Sequence, residues 1–131
     1  MQNCAARLVC KHELTYRQSL DGVYLKLHWL KVKYRILYKI LLIVHNCLHD
    51  NAPNEVAALL QYSESERTMK LKETAFRTSY GVRAFSHAAP KLWNLLPAYI
   101  RDHHDTPEFK KKLKSFLLTR GDEFICWTKR R

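Results

Sequence analysis

The 131-residue sequence contains little glycine or proline and no long apolar stretch. Its three glycines, Gly22, Gly81 and Gly121, lie far apart, which excludes a glycine-rich phosphate-binding loop. No segment approaches the roughly 18 apolar residues of a membrane-spanning helix, and residues 1–7 lack the apolar stretch of a secretory signal. We therefore expect an intracellular protein, in the nucleus or the cytoplasm, with no membrane partner.

Paired metal ligands are also scarce. The four cysteines, Cys4, Cys10, Cys47 and Cys126, are widely spaced and form no CxxC pair, which favours free thiols over a disulfide framework. His45 and His49 are one helical turn apart, a spacing that can chelate zinc, and His12 follows Cys10 closely. A structural zinc site needs four ligands, and neither group supplies them. We expect no metal and no cofactor.

Catalytic constellations are missing as well. Ser86 and His87 are adjacent, but no acid is placed to orient the histidine as a general base. Residues 102–105 combine two aspartates with two histidines in a predicted loop, without a second carboxylate cluster. A solvated loop is the simpler interpretation of that segment. We predict no catalytic residue and no enzyme activity.

A hydrophobic content of 47% with so few helix breakers predicts a folded, mainly α chain. We expect one domain over residues 1–131, small and irregular, with about five to seven helices. Periodicity and end signals place helices at residues 2–9, 21–29, 31–49 and 51–60, two short ones within 81–96 that meet near Pro90, and one from Thr106 that ends at Gly121. Alternating residues add a short β-hairpin near residues 68–78.

Residues 81–97, GVRAFSHAAPKLWNLLP, are the expected centre of the core because they place large apolar side chains between two prolines. Phe85 and Trp93 are predicted to join the helix at 31–49 to the C-terminal helix. The expected core residues are Trp29, Ile40, Phe85, Trp93, Phe109, Leu113 and Phe116.

Positive charge exceeds negative charge strongly, with 23 Lys and Arg against 12 Asp and Glu and a formal net charge of +11. The excess lies at the two ends of the chain, and such an excess is typical of proteins that bind phosphate-bearing partners. The predicted nucleic-acid-binding residues form three groups: Lys31, Arg35 and Lys39; Lys110, Lys111 and Lys114; and Lys129, Arg130 and Arg131. Trp29, Tyr34 and Tyr38 lie near the first group, where aromatic rings can stack on unpaired bases. The simpler alternative is that these are solvated helix faces that bind nothing in particular.

Three stretches carry a resemblance to a known family. They are QN-AARLV at residues 2–9, the run from Leu27 to Pro53 that includes Leu27-His28-Trp29-Leu30, and Gly81-x-Arg83-Ala84-Phe85-Ser86 with Ala88-Ala89-Pro90-x-Leu92-Trp93-Asn94-Leu95-x-Pro97. Together, over residues 2–118, they resemble the region downstream of the reverse transcriptase in Jockey-like non-LTR (LINE) retrotransposon polyproteins. Residues 119–131 form a basic tail outside the resemblance. Lys31 stands where the family often has proline and Asp50 where it often has glycine, so Asn51 is expected to provide the left-handed helix stop.

The resemblance implies a place in an element that nicks DNA and copies its RNA. Copying requires clustered carboxylates that hold two metal ions, usually with an Asp-Asp pair, and this sequence has no such pair. We therefore expect a non-catalytic accessory region that binds RNA or DNA through its basic faces, with a reverse transcriptase core as a further partner. Met1 would then open a fragment or co-opted copy. The alternative is an interaction or structural module that docks on a polymerase core without touching nucleic acid. The oligomeric state stays open.

Overall fold

The computed structural model describes residues 1–11, 19–63 and 69–129, with side chains described as far as Ile125. The helices are α1 (Gln2–Val9), α2 (Asp21–Lys26), α3 (Val32–Leu48), α4 (Asn54–Ala57), a 3-10 turn (Gly81–Arg83), α5 (Phe85–Leu95), α6 (Ala98–Arg101) and α7 (Thr106–Lys129). The predicted mainly α fold is confirmed. Within the described ranges, no helix is long and apolar enough to cross a membrane.

Helix α3 is the centre of the fold and contacts α4, α5 and α7. Its apolar side is broad, and Leu41 and Val44 are fully buried. Trp93, Phe109 and Leu113 from α5 and α7 are also fully buried in the same core. Ile40, Phe85 and Phe116 are partly buried and pack against this core, whereas Trp29 packs against a second, smaller cluster of Ala6, Val23 and Tyr24.

Helix α1 is fastened to the beginning of α3. The Gln2 side-chain amide donates to the Leu30 carbonyl over 2.7 Å, and its oxygen accepts from the Val32 N–H over 3.1 Å. The first N–H groups of a helix have no partner within it, and Gln2 satisfies one of them in α3. The hydroxyl of Tyr24 donates to Asn3, which adds α2 to the same corner.

Two helices end on residues other than glycine in the left-handed region. His28 follows α2 with φ 50°, and Asp50 follows α3 with φ 56°. The Trp29 N–H reaches back to the Tyr24 carbonyl over 2.9 Å, and the Asn51 N–H to the Asn46 carbonyl over 2.8 Å, as in Schellman caps. The expectation that Asn51 is the left-handed residue is wrong, because Asp50 takes that conformation itself.

Helix α5 runs unbroken through Pro90, so the prediction of two helices meeting there is wrong. A proline inside a helix lacks the N–H that would bond to the carbonyl four residues earlier, here that of Ser86. The Thr74 hydroxyl donates to this carbonyl over 3.3 Å instead. A neighbouring segment thus satisfies the group that Pro90 leaves open.

The predicted hairpin near residues 68–78 is absent from its described part, residues 69–78, where the single pairing is an isolated antiparallel bridge from Leu71 back to Tyr62. Side chains of α5 hold this segment. The Trp93 indole N–H donates to the Met69 carbonyl over 2.8 Å, and the Asn94 amide both donates to and accepts from the Leu71 backbone over 2.8 and 2.9 Å. The segment therefore takes its hydrogen bonds from α5 and from residues 61–63, and not from a hairpin within residues 69–78.

Helix α7 continues past Gly121 to Lys129, so the predicted stop at Gly121 is also wrong. A Cβ at this position would come within 2.8 Å of the Tyr34 ring of α3. Glycine therefore serves the close approach of two helices. Beside it, Asp122 accepts hydrogen bonds from the Tyr34 hydroxyl and, over 3.1 Å, from Lys33.

The helix predicted at residues 51–60 is shorter than expected. Helix α4 ends at Ala57, because Leu59 and Leu60 bond to carbonyls three residues earlier and tighten the chain. In α6, Ile100 is fully buried, whereas its neighbour Tyr99 is 62% exposed.

Truncation of Trp93 should remove the centre of the core. Its ring is 0% exposed, lies 5.9 Å from Phe109 between centroids, and donates its N–H to Met69. We expect Trp93→Ala to lower the free energy of unfolding by about 3 to 5 kcal/mol, measured by urea denaturation. Tyr99→Ala, an exposed aromatic control, should change it by less than about 0.5 kcal/mol. Equal small effects would contradict the central role of Trp93.

Asp122 should contribute a pH-dependent part of the stability. Its hydrogen bond from Tyr34, and then that from Lys33, lower the pKa of the carboxyl group. A carboxyl with a lowered pKa in the folded state stabilises the protein above its unfolded pKa, and this stabilisation disappears as the pH falls. Between about pH 5 and pH 3, the urea midpoint of the natural chain should fall further than that of Asp122→Asn. Parallel pH profiles would contradict the assignment.

Candidate nucleic-acid interface

One groove is surrounded by residues from the turn that follows α2, from α3 and from α7, and we call it the basic groove. Its lining residues are His28, Trp29, Leu30, Arg35, Tyr38, Lys39 and Lys114, and it encloses about 350 Å³. Arg35 and Lys39 come from successive turns of α3, and Lys114 comes from the facing side of α7. The packing of α3 on α7 therefore joins two basic groups that the sequence separates widely.

The charges of the basic groove lie at its surface. Arg35, Lys39 and Lys114 are all exposed, and none of the described residues that line the groove is acidic. The Arg35 Nε donates to the Leu30 carbonyl over 3.1 Å, which fixes the guanidinium stem beside the groove. Three cations without a lining acid create a positive potential that attracts phosphate groups.

A second depression continues the basic groove along α7. It encloses about 410 Å³ and shares His28 and Lys114 with the groove, while Lys111 extends it. Lys111 also pairs with Glu108 over 3.1 Å, but both side chains are well exposed, and exposed ion pairs are weak. The predicted residues Lys111 and Lys114 thus lie along one continuous basic surface.

Lys31, the first member of the predicted α3 row, faces elsewhere. Its ammonium group donates to the Asp21 carboxylate, and this hydrogen bond, followed by that from Ser19, lowers the pKa of Asp21. Lys31 is also absent from the described residues that line the basic groove. The basic groove therefore contains Arg35 and Lys39 but excludes Lys31.

The other predicted basic residues lie apart from the groove. Lys110 is exposed on α7 but is not among the described lining residues. Lys129 is the last residue of α7, and its side chain, together with Arg130 and Arg131, lies outside the described part of the chain.

The three aromatic candidates have different positions. Trp29 and Tyr38 are partly buried and line the basic groove. Tyr34 is buried against Gly121, and burial, with the hydrogen bond to Asp122, raises the pKa of its hydroxyl. Burial likewise raises the pKa of the Tyr38 hydroxyl. Tyr34 is therefore a packing residue, and Trp29 and Tyr38 are the rings placed beside the charges.

His28 is a groove residue that sequence reasoning did not select. It is exposed, it takes the left-handed conformation that ends α2, and it lines both depressions. The sequence signal at this position is weak, because few residues other than glycine take the left-handed conformation, although histidine is one of those that do so more often. His28 lines the groove because of the backbone conformation that ends α2, and no sequence motif marks it.

Two histidines considered in the sequence as catalytic or metal-binding candidates have structural roles. His87 donates through Nδ1 to the Thr74 carbonyl, so it braces the segment beside α5 rather than activating Ser86. His45 is fully buried, bonds through Nε2 to the His103 carbonyl over 2.9 Å and stacks face to face on the His49 ring, an arrangement in which the two rings do not direct their nitrogens at one ion. Among the described residues, no three metal-ligating side chains come together.

The basic groove thus brings together cations and aromatic rings from distant parts of the sequence. The resemblance to Jockey-like polyproteins stays a prediction. No protein-family model, curated protein or solved structure matches this chain.

Proposed function

We propose that the protein is a non-catalytic nucleic-acid-binding module whose contact surface is the basic groove. The observation that carries this proposal is the meeting of Arg35 and Lys39 of α3 with Lys114 of α7 around one groove. A row of lysines on one helix is usually solvated. Here cations from two helices converge on one groove that has no acid among its described lining residues. This arrangement favours a surface that binds a phosphate backbone over a merely solvated helix face.

Single-stranded RNA or DNA is the form that suits this groove. Trp29 and Tyr38 lie among the cations, and unpaired bases gain about 1 to 3 kcal/mol each from stacking on such rings. A paired duplex hides the faces of its bases. Phosphates would lie along Arg35, Lys39 and Lys114 while a base enters the groove beside Tyr38.

The resemblance to retrotransposon polyproteins supports the same proposal independently of the groove geometry. A region that follows a reverse transcriptase works beside template RNA and primer DNA, and this chain lacks the Asp-Asp pair of a polymerase. We propose an accessory region of that kind, as a fragment or co-opted copy, acting in the nucleus or the cytoplasm with a polymerase core as a further partner.

A second candidate function is docking on a polymerase core without nucleic-acid contact. Val32, Ile36 and Ile43 lie on one face of α3 and are 57%, 57% and 41% exposed. Leu8 and Val9 of α1 are also exposed, at 75% and 61%. This apolar surface does not include the basic groove, so the two functions respond to different substitutions.

Charge reversal in the groove tests the main proposal. We expect the triple variant Arg35→Glu, Lys39→Glu and Lys114→Glu to lose most binding to a fluorescent single-stranded oligonucleotide. Each lost phosphate contact should also reduce the slope of log K against log salt by about 0.7, so the slope should shrink by about 2. Fluorescence anisotropy over a range of salt concentrations measures both quantities.

A matched control comes from the segment beside α5. Lys70, Lys72 and Arg77 are exposed and lie away from the groove. Their triple reversal to Glu changes the net charge of the protein by the same amount. The proposal fails if the two triple variants lose affinity equally, or if the natural chain binds without any dependence on salt.

Replacement of Tyr38 tests the preference for single strands. Tyr38→Leu keeps an apolar side chain against the core but removes the ring, so binding to a single strand should weaken by about 1 to 3 kcal/mol. Tyr38→Phe keeps the ring and should bind as the natural chain does. Competition with a duplex of the same sequence completes the test, because equal affinity for both forms would exclude base stacking.

A further inference from the structure

Four of the seven histidines gather where the C-terminal end of α3 meets the connection from α6 to α7. We call His45, His49, His103 and His104 the histidine cluster. The His45 and His49 rings stack with centroids 4.2 Å apart, and the His49 and His104 rings meet edge to face at 5.2 Å. The cluster lies away from the residues of the basic groove, and its role is independent of nucleic-acid binding.

Hydrogen bonds divide the cluster into two kinds of histidine. His45 bonds through Nε2 to the His103 carbonyl, and the Nε2 of His103 contacts the Lys112 ammonium group. These nitrogens are occupied within the protein. The remaining pair, His49 and His104, face each other with Nε2 and Nδ1 3.1 Å apart.

The hydrogen-bond partner of Nδ1 determines which nitrogen of the neutral His49 ring carries the hydrogen. Its Nδ1 lies 2.8 Å from the His45 carbonyl oxygen, which can only accept, so Nδ1 carries the hydrogen. When the ring is neutral, Nε2 therefore has a free electron pair directed at His104. Histidines that bind metals usually have this arrangement, with the outer N–H donated to a backbone carbonyl.

The separation of the two nitrogens suits one metal ion between them. Bonds of about 2.0 to 2.1 Å place two nitrogens roughly 3.4 Å apart around tetrahedral zinc, and roughly 2.8 to 2.9 Å apart at a right angle in a square-planar site. The observed 3.1 Å lies between these values. Rotation of the two rings, so that both lone pairs converge on a point beside the line that joins the nitrogens, would complete either geometry, with the metal in place of the proton that the two rings share.

We propose that His49 and His104 form a two-imidazole site for a divalent transition metal, with zinc, nickel and copper as the ions of matching chemistry. Imidazole nitrogen favours these ions, whereas magnesium and calcium prefer oxygen ligands. His104 is exposed and His49 is half-buried, so water can occupy the other positions. No third ligand joins them among the described residues, which makes the site an exchangeable one.

A bound ion would join the end of α3 to the connection before α7. His49 is the capping residue directly after α3, and His104 lies between α6 and α7. Because the two ligands come from segments that are 55 residues apart, the unfolded chain would hold the ion less well. Metal should therefore raise the melting temperature in proportion to the logarithm of its concentration above Kd.

Zinc titration of the full chain, followed by the ring 1H–15N signals of each histidine, tests the site. We expect the His49 and His104 signals to move together, with a single Kd and a parallel rise in melting temperature. His49→Gln and His104→Gln should each weaken this binding at least about tenfold, since each leaves one imidazole. The site-resolved signals separate this event from zinc binding to exposed thiols.

The control variant is His28→Asn, which removes an exposed histidine elsewhere and keeps a residue that tolerates the left-handed conformation. It should bind zinc as the natural chain does. The proposal is overturned if the His49 and His104 signals do not move with zinc, or if either glutamine variant remains folded by circular dichroism and binds zinc as tightly as the natural chain.

Discussion

The burial of Trp93 between α3 and α7 is the contact on which the arrangement of the helices depends. Its ring fills the core beside Phe109, and its N–H holds the segment at Met69. One side chain therefore sets both the spacing of the large helices and the path of the chain that precedes α5. The basic groove is a product of this packing, because its two walls are α3 and α7.

The parts of the fold that could be predicted are those governed by local periodicity. Periodicity correctly predicted the helix at residues 31–49, observed as α3, and the end signal at Thr106 correctly placed the beginning of α7. The burial of Trp93 followed from a dense apolar segment between two prolines. Such signals lie within one or two helical turns, so a single sequence contains them completely.

The errors at Pro90 and Gly121 involve contacts between distant segments. Pro90 and Gly121 are ordinary helix breakers, yet each lies within a helix because another element compensates for it. The Thr74 hydroxyl serves the carbonyl that Pro90 leaves open, and the Tyr34 ring occupies the space beside Gly121. The groove shows the same dependence on distant contacts. The sequence contains two rows of basic residues, but only tertiary packing brings Lys114 beside Arg35 and Lys39. The pairing of Lys31 with Asp21 likewise depends on tertiary packing.

The approach of Tyr34 to Gly121 has a mechanical consequence for the basic groove. Helix α7 is continuous for 24 residues, so it behaves as one rod, and Lys114 lies seven residues, or about 10 Å, from this point of contact. A methyl group at position 121 would force the two helices apart near one end of that rod and change the angle between them. The width of the groove thus depends on an uncharged position that is not among the groove's lining residues.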